Sequence, residues 1–314
     1  MALEFSSRKE TFPNCRVWET TLAGRPFVVE TGKMCGLSNG SCLVRYGETV
    51  VLCNVTMSEK PREGIDFFPL SVEFEEKLYA VGRIPGSFMR REGRPGEKAI
   101  LTSRVVDRPI RPLFPKEMRN DVCVTMTVMS VDQDCSPEIA GMIGTSIALS
   151  ISEIPWKGPI GGVFMGLVDG QLVVNPTLEQ RQNSDLQLTV AATMNKIVMI
   201  EAGANEVDEA TMLEAIKMAH GEIKKIIAFI NGIVAEIGKP KIDFVSMDLD
   251  YDLFTKIRAE YLDDFKAAMD TDDKNVRDAR LLPIQDKLEA EYPDLDDATV
   301  GLIMYKMQKY VVRR

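Results

Sequence analysis

The stretch Phe88-Met89-Arg90-Arg91-Glu92-Gly93-Arg94-Pro95, continued through Asp107-Arg108-Pro109-Ile110-Arg111-Pro112 to Arg119, gathers positive charge in a chain whose net charge is −9. Between Phe88 and Arg119 lie nine basic residues (Arg90, Arg91, Arg94, Lys98, Arg104, Arg108, Arg111, Lys116, Arg119) against four acids (Glu92, Glu97, Asp107, Glu117), a local excess of +5. An acidic protein that concentrates guanidinium groups in one Gly/Pro-punctuated segment offers a local anion site, not a generally adhesive surface. Seven of the nine are Arg, the residue type suited to bidentate phosphate contact and to stacking on planar groups. Phe88 adds a ring on which a nucleobase can stack. A second reading stays open on composition alone: the four acids could pair with four of the arginines in a solvated loop, at little net energy.

Upstream of this stretch the sequence reads as β structure. Arg16–Thr21 and Pro26–Glu30 flank Ala23-Gly24-Arg25, and Ser41–Arg45 and Thr49–Met57 flank Tyr46-Gly47-Glu48, two hairpin patterns. Leu70–Glu76 alternates as a half-exposed strand, with Leu70, Val72 and Phe74 on one face. Ala99–Val106 is expected to form a short helix ended by Asp107-Arg108-Pro109, and Asp121–Val131 a longer strand. Ser136-Pro137 supplies an N-cap and a proline at the first helical position for a small-residue helix over 139–152, whose Gly141 and Gly144 allow close packing on a sheet. Two more hairpins follow, 163–168 with 171–175 and 186–192 with 196–201. Asp208–Ile237 keeps an apolar stripe at helical spacing (Met212, Ile216, Ala219, Ile223, Ile227, Ile230, Val234, Ile237) and is stopped by Gly238 and Pro240. From about Ser246 strand signals vanish, and helices are expected over 249–269, 275–292 and 297–312, joined to the rest by Lys239-Pro240-Lys241. The last runs to Arg314 with no stop signal, so a connection onward is expected. The expected fold is therefore α+β: a mixed β-sheet core with packed helices over 1–240, then a small all-α domain over 241–314.

A chain of 314 residues, 45% hydrophobic and 27% charged, builds an ordinary globular core, with two domains as the default. No run approaches the roughly 18 apolar residues of a membrane span. The segment from Met1 to Arg16 lacks a signal-like apolar stretch, and the six scattered cysteines (Cys15, Cys35, Cys42, Cys53, Cys123, Cys135) read as buried reduced thiols. The expected location is the cytoplasm. No ligand cluster supports a metal site, and the single histidine, His220, falls inside a helix with no nucleophile to serve.

Asp66-Phe67-Phe68-Pro69-Leu70, the run Ala80-Val81-Gly82-Arg83-Ile84-Pro85-Gly86-Ser87-Phe88-Met89-Arg90-Arg91-Glu92-Gly93-Arg94-Pro95, and Asp107-Arg108-Pro109-Ile110-Arg111-Pro112-Leu113-Phe114-Pro115 closely resemble the bacterial polynucleotide phosphorylase family. So do Met142-Ile143-Gly144-Thr145-Ser146 and Gly158-Pro159-Ile160-Gly161. The resemblance covers essentially the whole chain. It implies the first of two ribonuclease-PH-like cores followed by an all-helical domain, with the second, catalytic core and the terminal RNA-binding modules lying beyond Arg314. It further implies a ring-shaped homotrimer that threads single-stranded RNA and shortens it from the 3′ end with inorganic phosphate and Mg2+, in company with other RNA-degradation proteins. The segment from Phe88 to Arg91 matches the family's channel-constriction loop, with Met89 where a second aromatic is expected.

Two departures bear on chemistry. Where the competent core has a Gly-Ser-Ser-Ser phosphate nest, this chain has Cys135-Ser136-Pro137-Glu138, and Glu138 would repel the anion. Where a D-x-D-x-K metal pattern is expected, it reads Asp185-Leu186-Gln187-Leu188-Thr189. Hence no catalytic or metal-binding residue is assigned, and neither Mg2+ nor phosphate is expected on this chain. The RNA-binding set is Phe88, Arg90, Arg91, Arg94, Arg104, Arg108 and Arg111; for the last three an internal ion-pair network is an equal alternative. A stand-alone RNA-binding or scaffold module remains the second functional reading, and a phosphotransferase ranks last because no P-loop or G-x-G-x-x-G motif is present.

Overall fold

A computed structural model describes residues 12–313, apart from 63, 64, 66, 247 and 248. Asp66 of the resemblance, Arg314 and the first eleven residues lie outside the described residues. The chain divides into two compact units, residues 1–245 and 246–314.

The first unit contains two sheets. The larger has the order β1-β2-β3-β4-β6-β5, from β1 (Arg16–Leu22), β2 (Arg25–Thr31), β3 (Gly40–Tyr46), β4 (Thr49–Pro61), β5 (Leu70–Glu76) and β6 (Asn120–Ser130). Ala23 and Gly24 both take positive φ (48° and 75°), the backbone that a two-residue hairpin turn between twisted strands requires. Asp169 and Gly170 repeat it (50° and 75°) between β7 (Gly161–Val168) and β8 (Gln171–Val174). With β9 (Leu186–Ala192) and β10 (Ile197–Ala204) these form the smaller sheet, ordered β10-β9-β7-β8.

Alternation puts Val51, Cys53 and Val55 of β4 and Val122, Val124, Met126 and Val128 of β6 on one buried face. Helix α2 (Pro137–Ile151) lies against that face and is buried along almost its whole length. Its Gly144 is needed for the close approach, since a Cβ there would sit 2.5 Å from Cys53 Sγ. Ser136 caps the helix by accepting from the Glu138 amide at 3.2 Å. Beyond the short α3 (Leu178–Gln182), a long helix, α4 (Glu209–Ile237), packs its stripe of Ala215, Ala219, Ile223, Ile227 and Ile230 on α2 and β7. Gly238 ends it with φ −62°, so handedness is not its role; a Cβ would stand 2.5 Å from the Val234 carbonyl.

One expectation is corrected here. Helix α1 spans Glu97–Ile110 and carries Pro109 inside it, so the proline does not end the helix. A proline removes one amide donor, and the ladder resumes beyond it, with the Arg111 amide donating to the Asp107 carbonyl. Strand β5 pairs in parallel with β6, and α1 lies in the crossover between them. The cysteines are free, but only Cys42, Cys53 and Cys135 are buried; Cys15, Cys35 and Cys123 are half-buried. Burial, and then the Asp132 carboxylate, pushes the Cys135 thiol up to about 11, so it stays protonated and inert.

The second unit is all-helical: α5 (Tyr251–Met269), α6 (Lys274–Glu291) and α7 (Asp297–Val312). Ile257, Tyr261, Phe265, Leu288, Ile303 and Met307 form its own core. Among the described residues no helix is long and apolar enough to cross a membrane.

Candidate nucleic-acid interface

The loop that follows β5 begins with a 3₁₀ turn, Leu78–Val81, closed by Gly82 in the left-handed region (φ 70°). A second turn follows, in which the Arg90 amide donates to the Ser87 carbonyl at 3.0 Å. Phe88 and Met89 occupy its two corners, which is why they project, 99% and 65% exposed. Arg90 adopts φ 50°, unusual for a residue with a side chain, and its guanidinium reaches back to the Pro85 carbonyl at 3.5 Å. Arg91 and Arg94 are exposed on the same limb. Glu92, which stands between them in sequence, pairs with neither: its Oε1 accepts from the Leu78 amide at 3.0 Å.

The rest of the basic cluster is engaged elsewhere. Arg111 donates to both Asp107 carboxylate oxygens (3.0 and 2.8 Å) and to the carbonyls of Phe68 and Leu70 (3.4 and 3.0 Å). Arg108 pairs with Glu201 on β10 and donates to the Arg104 carbonyl at 3.3 Å. Lys98 pairs with Glu138 at 3.3 Å. Arg119 is buried and donates to the Lys116 and Met118 carbonyls. Arg104 is exposed on α1. The structure thus brings Phe88, Arg90, Arg91 and Arg94 together on one projecting loop and ties Arg108 and Arg111 into the ion-pair network that the sequence left as an alternative.

Between α1 and the smaller sheet lies a cavity of about 540 Å3, lined in part by Lys98, Leu101, Glu138, Arg181, Gln187 and Thr189. This is where the sequence departs from a phosphate and metal site, and the residues do not fit either group. Pro137 has no amide to offer an anion, and the Glu138 carboxylate, held by Lys98 and by the Ser136 hydroxyl, occupies the turn. Asp185 is exposed and its Oδ1 accepts from Asn205 at 3.4 Å, while Gln187 and Thr189 supply only neutral oxygens two and four residues on. Among the described residues no cluster of three or more His, Cys, Asp or Glu is placed to hold a metal. His220 is half-buried on α4 with Nε2 3.1 Å from the Thr193 carbonyl, a satisfied helix histidine.

Sequence reasoning missed the roles of Lys98, which neutralises Glu138 from 40 positions away, and of Glu92. Neither has a local signal, because each partner lies on a different element.

Two family models match the first unit. Residues 23–155 match domain 1 of the 3′ exoribonuclease family and residues 158–222 match its domain 2. Among relatives, the chain is 55% identical to the polyribonucleotide nucleotidyltransferase of Ruminiclostridium cellulolyticum over 93% of its own length and 42% of that protein. It is 56% identical to those of Alkaliphilus oremlandii (85% and 38%) and Clostridioides difficile (82% and 37%). The chain therefore spans about two fifths of the length of these relatives. Both domains occur in order, on the two sheets described above, and the chain belongs to the 3′ exoribonuclease family.

Proposed function

We propose that this chain is the RNA-holding part of a phosphate-dependent 3′-to-5′ exoribonuclease, a polyribonucleotide nucleotidyltransferase of RNA degradation, and that by itself it does not carry out phosphorolysis. The single observation that carries the reading is the projecting loop, on which an exposed ring and three arginines stand clear of the acids that could neutralise them. Phe88 stacks on a base while Arg90, Arg91 and Arg94 hold consecutive phosphates, with Arg104 as an outlying contact. Such a grip is sequence-tolerant and suits a single strand drawn past a fixed point. Inorganic phosphate and Mg2+ belong, on this reading, to a catalytic core outside this chain. The working form is a closed ring of three copies in the cytoplasm, giving three such loops around one axis and able to join other RNA-degradation proteins.

The test is the double variant Arg90→Ala, Arg91→Ala. Its affinity for single-stranded RNA should fall alike across sequences, and the slope of log K against log salt should shrink by roughly 0.7 for each phosphate no longer neutralised. Unchanged affinity sinks the reading. The mass in solution tests the ring separately.

A further inference from the structure

We infer that Glu92 is a positioning residue: by accepting the Leu78 amide it pins the far limb of the arginine loop to its base and keeps its own charge off Arg91 and Arg94. This rests on the reading of the loop as an RNA-binding element.

In sequence, Glu92 is the nearest acid to three arginines, and a salt bridge within the loop would be the default. The carboxylate instead crosses to the start of the 3₁₀ turn Leu78–Val81, where the residue before the turn, Lys77, provides no side-chain cap. The first amide of such a turn has no partner within it, and a carboxylate there satisfies the donor and meets the positive end of the local dipoles. Lys77 itself is paired with Glu75. Its pKa is raised first by the hydrogen bond to Glu75, 2.7 Å away, and more weakly by the charge of Glu92.

Little else orders the limb. From Gly82 to Lys98 every residue but Pro85 is exposed, so no apolar burial fixes it. The turn at Ser87–Arg90 sets the tip, and the Glu92–Leu78 bond spans fourteen positions to set the limb. A limb held this way presents Arg91 and Arg94 already ordered, so less entropy is surrendered when RNA binds.

The inference gives a sign that electrostatics alone reverses. Removing an acid beside arginines should strengthen polyanion binding, whereas removing a pin should weaken it. Glu92→Gln keeps an acceptor oxygen without the charge; Glu92→Ala loses both. With oligo(A) as probe, Glu92→Ala should bind about five-fold more weakly than wild type, the scale of a missing helix cap. Glu92→Gln should bind as well as wild type or better. Amide exchange at Leu78 should accelerate in Glu92→Ala and not in Glu92→Gln, which reports the tie without RNA. If both variants bind more tightly, or neither changes, the inference is overturned. The Arg90→Ala, Arg91→Ala variant runs alongside. Should it lose RNA while Glu92→Ala does not, only the positioning role fails; should it bind like wild type, the RNA reading fails with it.

Discussion

The Lys98 ammonium stands 3.3 Å from the Glu138 carboxylate, joining the start of α1 to the start of α2 across the edge of the 540 Å3 cavity. The paired carboxylate therefore occupies the turn where the resemblance would place a phosphate nest. With Mg2+, inorganic phosphate and RNA supplied, the purified chain should release no nucleoside diphosphates. Glu138→Gly should not create the activity either, because Pro137 still lacks an amide to donate. Phosphate-dependent diphosphate release from the unaltered chain would contradict this account of the cavity.

Phe88 and Arg91 should fail in different ways. Phe88→Ala removes a stacking face and should cost about 1–3 kcal/mol of single-strand affinity with the salt slope intact. Arg91→Ala should lower the slope as well. Titrations of oligo(A) at several salt concentrations separate the two, and identical slopes for both variants would mean that Arg91 touches no phosphate.

Arg111 should matter for the fold rather than for RNA. Its guanidinium bridges Asp107 and the carbonyls leading into β5, an arrangement that lysine cannot reproduce. Arg111→Lys should cost about 1–3 kcal/mol in urea unfolding and leave oligo(A) affinity unchanged.

Gly144→Ala should destabilise the first unit by about 1–3 kcal/mol, because the new methyl would meet Cys53 Sγ at 2.5 Å and Val44 Cγ2 at 2.9 Å. Gly221→Ala on α4, where a Cβ meets nothing within 4 Å, is the control and should be neutral or better.

Glu153 gives a pH signature. Burial raises its pKa, but the Lys239 ammonium at 2.9 Å, its own backbone amide and the Asn39 amide at 3.0 Å outweigh that, and the carboxyl titrates below its ordinary value. Its stabilising contribution is complete above the unfolded carboxyl range and is lost as pH falls through the lower native value. Stability measured by denaturant from pH 6 downward should therefore drop in the wild type, and the drop should be shallower in Glu153→Gln. An unchanged acid limb in that variant would show that the Lys239 ion pair contributes nothing.

The α+β class and most elements were legible because they write themselves locally. The β1–β2 hairpin is announced by Ala23-Gly24, the α2 cap by Ser136-Pro137, and α4 by its isoleucine stripe. What was not legible is what depends on remote partners. The parallel pairing of β5 with β6 has no signature in a short alternating run such as Leu70–Glu76. The Gly/Pro punctuation could be read as a loop, but it did not divide the seven residues expected to meet RNA. Arg108 could not be set apart, because Glu201 lies 93 positions away on another sheet. Charge counting sees a cluster of nine, whereas distances separate a projecting loop from a set of struts.

The place of β5 at the margin of its sheet has a temporal corollary. Its one neighbour there, β6, begins at Asn120, after the whole arginine loop and α1 have been made. A chain emerging from the ribosome can zip β1 through β4 in order, yet β5 has no strand to pair with until β6 has seated on β4. The strand from which the arginine loop departs is then the last of this sheet to find its partner, and until that moment the loop is held only by its own local bonds, Glu92 to Leu78 and Arg90 to Ser87.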